Sequence, residues 1–567
     1  MHPFRKNVNN GLGAVDSRAA TGNDQASNLG DPIKMTVTNA KALTANAVRA
    51  LILDRDSREV AVIDVRPGGT FGDAHLLWAN SVPLTTLEIE ILDRVPRLDT
   101  PVVLCGYDGA DDGIVGRAAG KMAAMGYTDL AYLEGGVKAW ETAGFEVFSG
   151  VNVPSKAFGE FVEHTYDTPR IPAAELKAMM DAGENMVVLD SRPMSEYQAM
   201  NIPMGVDVPG AELPLRVHDL APDPETTVVV NCAGRTRSII GCQSLKNAGI
   251  PNKVVALENG TMGWHLAGFD LEYGNTRKYG ELTAAGLEKA TGCAEGVRAR
   301  FGVKTVDAVT LAEWQTEKDR TTYVLDVRDP DEFAAGHAPG ARPAPGGQLV
   351  QATDRYVGTL GSRIVCVDDN GVRATMTASW LVQIGWDAVV LEPGAVAMTE
   401  TGAHVPAMPP VPEVSTLEPT QLAARMIQTH VVDLGNSLSH RNAHIPGSHF
   451  AIRANMPENL AALSNDRPIA LTSKDGVIAK FAAKELLDAG FDREVVVLDG
   501  GTDAWKAAGL PVKGGFEGNL DDSVDVWYRP YDMDDAQEGA MKQYLSWEVN
   551  LVAQIERDGT TNFRAFE

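Results

Sequence analysis

The segment with the residue types and spacing for chemistry is Cys232-Ala-Gly-Arg-Thr-Arg-Ser238. Cys232 ends the apolar run TTVVVNC at 226–232, and Ser238 stands where a following amphipathic helix would take its N-cap. The small residues Ala233 and Gly234 allow a tight curl in which several backbone N–H groups face one centre. Backed by a helix N-terminus, such a nest attracts an anion. The same field favours a thiolate: a free cysteine titrates near about 8.5 and moves down beside helix starts and guanidinium groups. No histidine stands in the loop, so activation is expected to be electrostatic rather than through a Cys–His pair. A soft sulfur nucleophile suits attack on another sulfur better than attack on a carbonyl.

The elements that would position this loop recur four times. Each copy opens with an apolar run ending in a polar cluster: AVIDVRP at 61–67, VVLDSRP at 187–193, YVLDVRD at 323–329 and HVVDLGN at 430–436. Their aspartates, Asp64, Asp190, Asp326 and Asp433, lie 126, 136 and 107 residues apart, each interval the length of a small domain. Continuous apolar runs at 101–105, 226–232, 362–367 and 467–472 read as parallel strands buried on both faces. Each is followed by a loop, then by a helix ending in glycine (116–126, 238–249, 374–385 and 479–490). Trp140, Trp264 and Trp505 recur at one place and read as core anchors. This βα alternation predicts four open, mostly parallel α/β sheets with helices on both faces, and ligands outside the carboxyl ends of the strands.

Only the second copy keeps a cysteine at the loop position. The helix alignment puts Asp368 of DDNGVRA and Ser473 of SKDGVIA where Cys232 stands, and Gly106 there in the first copy. A carboxylate cannot carry a persulfide, and a serine lacks a local base. Asp108, Asp111 and Asp112 make the first loop hostile to an anion. Cys105 and Cys366 precede their loops and read as strand core, Cys242 as helix packing, and Cys293 lies in no persuasive motif.

The 567-residue chain carries fifty basic and seventy-six acidic side chains, a formal charge of -26. That balance disfavours nonspecific nucleic-acid binding and anionic membranes. No apolar stretch of about 20 residues marks a membrane span, and the polar leader lacks a secretory core, so the cytoplasm is the expected compartment. Five scattered cysteines without a CxxC pair fit neither a disulfide framework nor a zinc site. No metal or other cofactor is expected.

With these motifs in view, the four units resemble rhodanese-homology domains, and CAGRTRS is similar to the active loop of thiosulfate sulfurtransferases. The resemblance covers nearly all of residues 36–515. It implies a flexible leader at 1–35, with a natural start at Met35 one reading. Inactive units are implied at 36–150, 300–410 and 413–515, and a catalytic unit at 151–275. A helical connector would occupy 276–299 and a C-terminal extension 516–567. It implies that Cys232 accepts sulfane sulfur as a covalent persulfide and passes it on. Ala233, Gly234, Arg235, Thr236, Arg237 and Ser238 would cradle the donor, Asp190 would support the loop, and Arg192 would give support or substrate contact. The spacing C-x4-R, against the C-x5-R of tyrosine-phosphatase loops, makes a smaller bowl and favours sulfur over phosphate. The implied partners are a small anionic donor, thiosulfate first, and a thiol, cyanide or sulfur-acceptor protein. The alternatives are transfer from 3-mercaptopyruvate or a polysulfide, or a non-enzymatic persulfide carrier or protein-binding scaffold.

Overall fold

A computed structural model describes residues 40–107, 113–533 and 537–567. The 1–35 leader, Met35 and the first-loop residues Asp108, Asp111 and Asp112 lie outside the described residues. The chain builds four five-stranded sheets, all of whose strand pairs are parallel. Counting strands within each unit, the order is 1-5-4-2-3 every time. This is the α/β architecture expected from the repeated apolar runs. In the second unit the central strand Thr227–Asn231 lies between Met186–Asp190 and Val254–Leu257. Its run of valines is buried on both faces, which is why the sequence is continuously apolar instead of alternating.

Backbone pairing fixes the equivalence of the loops. The N–H groups of Val65, Ser191, Val327 and Leu434 donate to the carbonyls of Cys105, Asn231, Val367 and Thr472, at 3.1, 2.8, 2.9 and 2.8 Å. The next residues are Gly106, Cys232, Asp368 and Ser473, so these four occupy one structural position. Trp140, Trp264 and Trp505 are buried, and each indole N–H donates to the carbonyl six residues on, at 2.8–2.9 Å.

The units form one body. Arg453 of the fourth unit is 1% exposed and pairs with Glu88 of the first and with Glu485 on the helix Val477–Asp488 of its own unit. Arg373 of the third unit reaches Glu212 of the second at 2.6 Å. The helix Ala284–Phe301 packs between the second and third units. The final helix, Gln537–Asp558, crosses the leading helix of the second unit, Val153–Tyr166. Leu551 and Ile555 of that final helix enter the core of the first unit, each burial stabilising by about 1.5–3 kcal/mol. Among the described residues, no helix is long and apolar enough to cross a membrane.

Candidate active site

The loop leaves the central strand of the second unit at its carboxyl end. The following helix begins at Thr236, with Arg235 as the flanking residue. Ser238 is therefore not the N-cap that the sequence suggested. It lies inside the first turn, where its hydroxyl donates to the Arg235 carbonyl at 2.8 Å and accepts from the Cys232 thiol at 3.5 Å. The earlier helix start brings the Ser238 N–H, together with that of Gly234, to the sulfur. This is the ring of donors a loop anion requires.

A neighbouring turn holds the loop from below. Thr261 donates to the Cys232 carbonyl through its N–H at 2.8 Å and its hydroxyl at 2.9 Å, and the Met262 N–H reaches the Ala233 carbonyl at 2.9 Å. Gly260 makes this approach possible: at φ +54°, a Cβ there would lie 2.3 Å from the Cys232 carbonyl oxygen. Gly501 stands in the same relation to Ser473, so this clamp belongs to the repeat and not to the nucleophile alone.

The charged residues divide into support and site. Asp190 and Arg192 are both 1% exposed and bound to each other at 2.7 and 2.9 Å. Arg192 also donates to the Met200 carbonyl at 2.6 Å, and Asp190 accepts from Asn231 at 3.1 Å. Asp64–Arg66 and Asp326–Arg328 repeat this pair in units without the cysteine, which makes it loop support. Arg235 is committed to Glu160 and Glu163 of the leading helix, with Glu160 at 2.6 and 2.7 Å. Its guanidinium ties two elements together, in contrast to the donor contact expected of it. Arg237 is held bidentate by Glu196 at 2.8 and 2.9 Å, and its charge acts on Cys232. Glu196, absent from the sequence-based set, is drawn down to about 2 by Arg237.

Burial pushes the Cys232 thiol up, outweighing Arg237 and the Ser238 and Gly234 donors. The lowered thiol expected from the loop alone is therefore corrected, because loop composition carries no sign of how deeply the residue lies. Cys232 is 2% exposed, roofed by residues of the C-terminal extension. Ala233 and Met262 pack with Met541, Tyr544 and Leu545, flanked by Trp527 and Tyr531. Even so, Cys232 through Arg237 line a cavity of about 830 Å³ that all four units and the extension enclose. Thr236 is also buried, with its methyl region against Gly159.

In the third unit, Asp368 fills the equivalent nest with its own carboxylate, accepting from the N–H groups of Gly371 at 2.7 Å and Ala374 at 3.1 Å. Cys105 and Cys366 are strand core, fully buried. Cys242 faces the Pro169 carbonyl, its thiol pushed up to about 12 by burial.

Comparison with known proteins agrees with this geometry. The family described as Rhodanese-like domain matches residues 44–143, 172–267, 307–401 and 418–508. A crystal structure of a thiosulfate sulfurtransferase from Pseudomonas aeruginosa superposes with a TM-score of 0.88 at 47% identity, covering 93% of this chain and 100% of that one. The thiosulfate sulfurtransferase GlpE of Vibrio cholerae is 30% identical over 86 residues, 15% of this chain and 80% of its own length. A putative sulfur carrier protein of Bacillus subtilis, YrkF, is 24% identical over 136 residues, 23% of this chain and 72% of its own length.

Proposed function

The chain belongs to the rhodanese-like family through all four of its units, and from that premise we propose that its sulfurtransferase activity takes sulfane sulfur from thiosulfate through a persulfide on Cys232. The observation that carries this reading is the turn of the Gly234 and Ser238 N–H groups toward the one cysteine at the repeated loop position. That this loop suits an anion is supported by Asp368, whose carboxylate accepts in the third unit from the Ala374 N–H, the counterpart of Ser238, and from the Gly371 N–H, the counterpart of Arg235.

In the proposed reaction the Cys232 thiolate attacks the outer sulfur of thiosulfate. The sulfur–sulfur bond breaks, and sulfite leaves with its electron pair. The Gly234 and Ser238 N–H groups favour the charge at the sulfur, and Arg237, held in place by Glu196, adds its field. Arg235, Arg192 and Asp190 keep the loop in shape without touching the reacting atoms. An acceptor nucleophile then takes the outer sulfur, and the electron pair of the broken bond returns to Cys232.

Thiosulfate and cyanide with the full chain should give thiocyanate and sulfite. After thiosulfate alone, intact mass should rise by one sulfur atom per chain, mapping to Cys232. Cys232→Ser should abolish both; full turnover by that variant would reject the assignment.

A further inference from the structure

Two buried charged groups at the same cavity attract one another but, among the described residues, are not in ion-pair contact. Lys156, in the first turn of the leading helix, is 3% exposed. Its Nζ lies 5.3, 4.9 and 4.8 Å from the ring centres of Trp527, Tyr544 and Trp547. Among the described residues its Nζ enters no hydrogen bond or ion pair, and these three rings are its contacts. Glu548, on the final helix, is 2% exposed. Its Oε1 accepts from the Tyr544 hydroxyl at 2.8 Å, and its Oε2 has no partner. That free oxygen borders the loop itself, 3.3 Å from where a Cβ on Gly234 would lie. Both residues line the cavity that holds Cys232.

A buried polar atom left unbonded is costly, and more so when charged. An unbonded carboxylate oxygen and an ammonium with no hydrogen bond, both at one cavity wall, therefore describe what would complete it. Burial holds the Lys156 ammonium down to about 8 and the Glu548 carboxyl up, against the attraction that each exerts on the other. Asp354, with a buried unpartnered oxygen, and Arg355 also face the space before Lys156. The walls thus offer both signs in balance. A simple anion would satisfy Lys156 but meet Glu548 and Asp354, and a simple cation would meet the reverse. A ligand carrying one charge of each sign suits both.

We propose that Lys156 and Glu548 form a subsite for the headgroup of an α-amino acid, its carboxylate on Lys156 and its ammonium on Glu548 Oε2. The aromatic trio packs about the rest of the headgroup. The acceptor is then an amino-acid thiol of the cysteine class; this role, though not the binding itself, rests on the Cys232 reading. The acceptor thiolate attacks the outer sulfur of the Cys232 persulfide, and the bond between that sulfur and Cys232 Sγ breaks. The outer sulfur leaves with its proton on the acceptor, giving an amino-acid persulfide, and the electron pair stays on Cys232 as thiolate.

The test uses S-methylcysteine, which has the headgroup but no thiol to accept sulfur. It is titrated into the full chain by calorimetry and by the fluorescence of Trp527 and Trp547. Saturable binding is expected, weakened about tenfold or more when the probe lacks the amine, as in 3-(methylthio)propionate, or the carboxylate, as in 2-(methylthio)ethylamine. Glu548→Gln and Lys156→Met should weaken S-methylcysteine to a similar degree, with folding checked by circular dichroism. The analogue series on the unaltered protein stands even if a variant misfolds. No saturable binding, or binding indifferent to both charges, overturns the subsite. Headgroup-dependent binding without thiocyanate formation would support the subsite and remove the Cys232 reading instead.

Discussion

At the scale of single residues, a nucleophile raised by burial makes a definite statement about pH. Thiolate is the reactive form, and the Cys232 thiol lies above its ordinary value, so persulfide formation with thiosulfate should accelerate as pH rises. The expected slope is about tenfold per unit while the thiol is mostly protonated. Arg237→Gln should shift that profile to still higher pH and slow the step at neutrality by about tenfold or more. Stopped-flow measurement of sulfite release checks both, and a flat profile between about pH 6 and pH 9 would mean the thiol is already ionised. Cys232 was legible as the candidate because its loop types are local in sequence. Glu196 was not singled out, although the repeat contains the clue: Arg373 and Glu332 of the third unit pair in the same way at the same offset. The partners of Arg235 left no such signal, because Glu160 and Glu163 belong to a helix that packs across from outside the loop.

At the scale of elements, the loop depends on two contacts that differ in kind. The clamp beneath it tolerates no side chain at position 260, since positive φ and a 2.3 Å approach act together. Gly260→Ala should cost about 1–3 kcal/mol in chemical denaturation and reduce sulfur loading by displacing the Cys232 carbonyl. The roof above it is aromatic. Tyr544→Ala removes a buried ring from Ala233 and Met262, at a cost of about 3–5 kcal/mol. It should also speed alkylation of Cys232 by bulky thiol reagents; an unchanged rate would mean the roof does not limit access. The strands, the loop-following helices and the tryptophan anchors could be read from apolar runs and terminal glycines. The roof could not, because an amphipathic helix announces that one face is covered without naming what covers it.

At the scale of the whole molecule, four units share one cavity while a single one places a cysteine at the repeated loop position. The buried network around Arg453, with Glu88, Glu485 and Lys121, joins the first and fourth units. Arg453→Ala leaves Glu88 and Glu485 with Lys121 as their remaining cation and is expected to destabilise by about 1–3 kcal/mol in urea. Loss of the contact between the first and fourth units would also open the cavity. The repeat count and the equivalence of Gly106, Cys232, Asp368 and Ser473 were legible from strand and helix spacing, whereas the mutual packing was not, since it rests on side chains far apart in sequence. The final helix carries one more consequence. It is synthesised after every sheet, yet Leu551 and Ile555 seat in the first unit while Tyr544 and Glu548 close over the second. A chain growing from the ribosome therefore completes the core of its first unit and the cover beside Cys232 only after this final helix has emerged.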